Sequence, residues 1–229
     1  MIKVSVKRAI SYGVVLAIVP LLLALGVFLF AQKQYALISV LLAFAACVPF
    51  FLSFEKKKPM ARQTVLIAVL VALSVAGRMA FAFIPSVKPV TALVVITALY
   101  FGPEAGFLTG SLSALLSNIY FGQGPWTPFQ MFAWGILGFV AGLLQRPLKK
   151  HFWLLLLYSA LAGVAFSMLM DVYTVLSFGE GFRLDRYGAA LLSALPITAV
   201  YVVSNVLFML ALRIPLGRIL ERIKLKYGL

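Results

Sequence analysis

Long apolar runs separated by short polar breaks dominate this chain. They cover residues 9–30, 35–54, 63–84, 103–120, 129–144, 152–178 and 187–212, with a shorter run at Val90–Phe101. Most are close to the ~20 residues that cross a ~30 Å hydrocarbon core at 1.5 Å per residue. The pattern predicts an all-α, polytopic membrane helical bundle. The first run follows Lys3, Lys7 and Arg8, as a signal peptide would, but it is longer than such a core. Gln32-Lys33-Gln34 follows and a second run begins at once, so it reads as a retained span.

The Val90–Phe101 run is too short to cross alone. It fits a tilted or half-buried helix whose ends are covered by protein. Counting it gives eight helices; omitting it would reverse everything downstream. Charge decides. With eight spans and both termini cytoplasmic, all but five of the 20 Lys and Arg fall on the inner side. The exceptions are Lys33, Arg78, Lys88, Arg183 and Arg186. The Lys56–Arg62 stretch with Pro59 divides a two-helix extension, residues 1–60, from a six-helix core, residues 61–229.

Composition removes the soluble alternatives. The chain is 63% hydrophobic and 11% charged, with a mean hydropathy of +1.07. Soluble domains carry about a quarter charged residues, so lipid must serve as the solvent here. A net charge of +14 raises the question of nucleic acid. The basic residues, however, sit in short clusters between apolar runs, as topology signals and anionic-lipid contacts do. The pattern excludes a nucleic-acid face, which would gather them on one surface. Cys47 has no partner for an internal disulfide, and no Cys or His spacing suits a metal. His151 follows Lys149 and Lys150 and reads as interfacial.

Two stripes of small residues stand out. Ala68, Ala72, Ala76 and Ala80 recur every four residues, making a narrow face for internal packing or for another helix. Gly102, Gly106, Gly110 and Ala114, with Gly138 and Gly142 in the next helix, point to tight contacts inside the core. Pro103-Glu104 is explained as a helix start. The segment from Asn118 to Gln130 holds two glycines and two prolines, and so is a shaped loop. Tyr120, Trp126, Phe129, Asn118, Gln123 and Gln130 fit either an interfacial aromatic belt or a binding pocket, and the density of amides favours the pocket. Arg78 and Asp171 are ionisable within apolar spans and suit either an ion pair or a ligand site. Asn205 reads as a helix–helix hydrogen bond. No phosphate loop, Ser/His/Asp set or chain of intramembrane carboxylates appears. A solute moved by this chain must draw its energy from elsewhere.

At these residues the chain resembles the substrate-binding S components of energy-coupling factor (ECF) vitamin transporters. The likeness runs from Arg62 to about Arg213. It rests on Ala68-x-x-x-Ala72, the short second core helix, the Phe101-Gly102-Pro103-Glu104-Ala105-Gly106 turn, the loop from Gly122 to Pro128 and the run from Phe129 to Gly135. The N-terminal helix pair departs from it, since a typical member has six spans.

The resemblance implies a vitamin-capturing subunit without catalytic residues or cofactor, docked on a shared transmembrane subunit that is joined to two ATPases. It implies that Ala68, Ala72 and Ala76 meet that subunit, and that the whole subunit topples as ATP is consumed. The vitamin would sit on the outer side beneath residues 83–89, 118–128 and 178–187. Candidate ligand contacts are Arg78, Lys88, Asn118, Tyr120, Gln123, Trp126, Phe129, Gln130, Asp171 and Tyr173. The aromatic, amide-rich rim favours cobalamin or a related corrinoid, with pantothenate, queuosine precursors, folate and riboflavin as alternatives. The rival classes are a membrane-embedded enzyme, for which no convergent acid, His or Cys set exists, and a structural assembly partner, which would leave the Gly122–Pro128 loop without a role.

Overall fold

The computed structural model describes residues 60–177 and 183–228. The two N-terminal spans and the division at residue 60 lie outside them. Seven helices fill the described residues: α1 Met60–Ala80, α2 Val90–Phe101, α3 Pro103–Phe121, α4 Trp126–Leu143, α5 Gln145–Lys150, α6 Phe152–Ser177 and α7 Leu184–Tyr227. Apart from the short α5, these are the six core helices the apolar runs predict. By length and composition α1, α6 and α7 are each able to cross a membrane. Their outward faces carry exposed Val65, Val69, Leu161, Leu192, Val203 and Leu207. Such a surface suits lipid.

Helix α2 spans only about 18 Å at 1.5 Å per residue. Every residue from Val90 to Leu99 is buried, so protein rather than lipid surrounds it, as its length demands. Gly102 ends it at φ 93° and ψ 179°, a conformation that essentially only glycine adopts. Pro103 then opens α3, where its missing donor costs nothing.

Between lipid-bathed helices there is little hydrophobic drive to associate, so close packing must hold them. The Gly106–Gly110 stripe of α3 lies against Gly138 and Trp134 of α4, where a Cβ on either glycine would collide with backbone. Gly163 of α6 meets the backbone of Tyr201 and Val202 on α7 in the same way. Gly77 of α1 abuts the Pro89 ring. Asn205 Nδ2 donates to the Ser159 carbonyl at 3.3 Å, tying α7 to α6 as expected.

The alanine stripe behaves differently: Ala68, Ala72, Ala76 and Ala80 are all exposed on the outside of α1. Packing among the described residues therefore does not account for them.

Several boundaries differ by a few residues from the sequence expectation, and two of them have a clear physical reason. Helix α4 starts at Trp126, not 129, because Pro128 falls in its first turn, where no intrahelical donor is needed. Helix α7 continues to Tyr227 rather than stopping at 212, passing through Pro196 and Pro215. Its tail is held by side chains: Leu216 and Leu220 pack in the cluster around α2. Tyr100 donates to Glu221, and Lys224 Nζ donates to the Tyr100 carbonyl at 2.8 Å. Lys149 lies over the Tyr100 ring, Arg213 over Phe152 and Arg62 over Tyr227. The basic clusters thus gather at one end of the bundle.

Candidate solute-binding site

The opposite end holds a second group of cations, and these are half-buried among aromatic rings. Arg78 lies in the last turn of α1. A guanidinium costs about 2.5–3.5 kcal/mol even on mild insertion scales, so its partners matter. Nη1 donates to Asn118 Oδ1 at 2.8 Å and to Ser117 Oγ. The guanidinium stands 4.5 Å from the Phe121 ring centroid and 5.3 Å from that of Trp134. Hydrogen bonds to a charged group are worth about 1.5–3 kcal/mol each. Together with the ring contacts they offset the cost.

Asn118 is the hub. It is fully buried, and its Nδ2 donates to Thr127 Oγ1 and Gln130 Oε1, both at 2.9 Å. Thr127 Oγ1 also accepts from the Gly124 amide, and the Thr127 amide donates to the Gly124 carbonyl. Thr127, Gln130 and Trp134 fall at i, i+3 and i+7 on α4, which puts all three on one face. The network therefore joins α1, α3, the loop and α4.

Lys88 comes from the other direction. Its backbone amide donates to Ser204 Oγ on α7. Its Nζ lies 5.0 Å from the Tyr201 ring centroid and 5.5 Å from those of Trp134 and Phe166. Trp134 stacks on Phe166 at 4.9 Å, and Tyr201 meets Phe166 edge-on at 5.3 Å. Ser86, in the same loop as Lys88, sits in the left-handed region at φ 64°. Such a residue is strained by about 1–3 kcal/mol and held there by its surroundings. Burial, and secondarily the Arg78 charge, pull the Lys88 ammonium down to about 7.

Of the residues singled out by sequence, Arg78, Lys88, Asn118 and Gln130 are brought together. Gln123 Nε2 donates to the Leu115 carbonyl, while its Oε1 is buried without a hydrogen-bond partner. Trp126 folds its indole over Gly124, and Phe129 packs against Tyr173 at 5.3 Å. Tyr120 is 65% exposed, edge-on to Phe121, and does not join the cluster. The pairing of Arg78 with Asp171 does not form: among the described residues the ion pair within 4 Å is Arg183–Asp185. Arg78 is taken up by α3 instead, and Asp171 is buried with Oδ2 unbonded. Sequence reasoning missed Trp134, Phe166, Tyr201, Ser117 and Thr127. The i+4 step from Gln130 to Trp134 was the available signal.

The fold and the site together define a helical membrane protein with exposed apolar flanks and a cation–aromatic cluster at one end. Comparison with known proteins narrows this. Residues 58–222 match the family described as ECF-type riboflavin transporter, S component, and the chain belongs to that family. That family is described as a transporter component, and three helices among the described residues are long and apolar enough to cross a membrane. A UPF0397 protein of Clostridium perfringens is 30% identical over 104 residues, or 42% of this chain and 56% of that protein. The match thus spans little more than half of that relative's length. No solved structure matches.

Proposed function

We propose that this chain captures a vitamin at the outer face of the membrane for an ECF importer, whose shared transmembrane subunit and two ATPases supply the work. The observation that carries the reading is the cluster of Arg78, Lys88, Trp134, Phe166 and Tyr201 at the end of the bundle opposite the basic residues. The positive-inside rule puts that basic end, with the C-terminus, in the cytoplasm and the cluster outside. The exposed Ala68, Ala72 and Ala76 face suits the shared subunit, because small side chains let a neighbouring helix approach closely.

Flat rings beside forked donors suit a planar heteroaromatic solute of flavin size, in keeping with the riboflavin in the family's description. The corrinoid reading rested on a rim of amides. Asn118 and Gln130 are bonded to each other and to their neighbours, which reduces the amides free to meet a corrin. The unbonded Gln123 Oε1 still favours it as the second reading.

Titrating the purified chain, without ATP, with riboflavin, cobalamin, pantothenate, folate and a queuosine precursor tests the proposal. One of them is expected to bind with a Kd on the order of nanomolar, about −12 kcal/mol. Failure of all five to bind rejects vitamin capture.

A further inference from the structure

Two like charges share one aromatic cluster, and among the described residues no carboxylate pairs with either. Arg78 and Lys88 both lie against the Trp134 ring, at 5.3 and 5.5 Å from its centroid. The Arg78 bonds go to neutral oxygens of Ser117 and Asn118. Among the described residues Lys88 Nζ makes no hydrogen bond or ion pair and meets only rings. Both residues are half-buried, and a charge so placed gives up part of its hydration without a counter-ion to replace it. Ring faces return only about 0.5–2 kcal/mol per contact. The nearby acid does not fill the role: among the described residues Asp171 forms no ion pair within 4 Å with Lys88 or Arg78.

We propose that the solute held here carries an oxyanion, a carboxylate or a phosphate, which sits between Lys88 Nζ and the Arg78 guanidinium while its flat part meets the aromatic wall. The inference rests on the capture reading and goes beyond it by fixing the charge of the cargo. The charged and titratable groups facing Lys88 are Arg78 from α1 and Tyr201 from α7; Trp134 of α4 and Phe166 of α6 are neutral. With its ammonium near 7 in the free protein, an arriving anion raises the lysine's proton affinity. Binding then takes up a proton above about pH 7. Affinity is full below that pH and falls as pH rises through it, by up to about tenfold per unit until the bound lysine itself titrates.

The test uses the full chain in phosphatidylcholine nanodiscs and calorimetry with pairs matched in all but charge: flavin mononucleotide and riboflavin, nicotinate and nicotinamide, pantothenate and pantothenol. At about pH 6.5 the anionic member of at least one pair is expected to bind at least about tenfold tighter, with most of that preference gone by about pH 9. The pair that responds tells phosphate from carboxylate. Lys88→Gln is expected to abolish the preference, and Lys88→Arg to keep it while removing its pH dependence. Neutral members binding as tightly as their anions would overturn the oxyanion, a preference that survives Lys88→Gln would overturn its placement against Lys88, and either leaves vitamin capture standing. If no member of any pair and no vitamin binds, both fall. The pH dependence of the unmodified chain decides the matter even if a variant does not fold.

Discussion

Asn118 carries more of the site than its size suggests. Its carbonyl oxygen receives Arg78 and its amide holds Thr127 and Gln130, so three helices meet on one side chain. Asn118→Ala strips all three bonds at once and leaves a buried guanidinium short of an acceptor. Each unsatisfied buried group costs about 1–3 kcal/mol. The variant is expected to melt lower in detergent and to bind its vitamin at least about tenfold more weakly, about 1.4 kcal/mol. Unchanged affinity would move the solute away from Arg78. At this scale the sequence was partly legible. Arg78, Lys88, Asn118 and Gln130 stood out because polar groups in apolar surroundings are conspicuous. Trp134, Phe166 and Tyr201 did not, because an aromatic residue in an apolar helix looks the same whether it faces lipid, core or cargo.

Backbone contacts set the geometry among the helices. Gly110 of α3 lies on the backbone of Trp134, and Gly163 of α6 on that of Tyr201. Gly110→Val would drive a branched side chain into the Trp134 carbonyl, a contact that no rotamer relieves. Loss of monodisperse protein on size exclusion, with loss of vitamin binding, is expected. Gly188→Ala, where nothing lies within 4 Å, is expected to change neither. The apolar runs gave the core helices because span length is dictated by the bilayer. They missed the continuation of α7 because Pro215 and the basic residues after it read locally as a stop. Contacts of Leu216, Leu220, Glu221 and Lys224 with α2 and Tyr100, remote in sequence, override that signal. The alanine spacing, likewise, defined a stripe without saying which way it faced.

At the scale of the whole molecule, cargo site and alanine face are separate surfaces. Ala72 is exposed on α1, away from the cluster that Arg78 enters one and a half turns later. Ala72→Trp is expected to abolish co-purification with the shared transmembrane subunit and cellular uptake, while the isolated chain keeps its affinity. Uptake at the unmodified rate would place the partner elsewhere. Helix α7 joins these ends of the problem. Its 44 residues make a rod of about 66 Å, roughly twice the thickness of the hydrocarbon layer. Tyr201 sits on that rod beside Lys88, and Glu221 and Lys224 clasp Tyr100 far below, with Pro215 between them. On the proposed reading, a nudge at the aromatic wall has a continuous route along α7 to the basic end of the bundle, where a neighbour that never touches the vitamin could feel whether one is aboard.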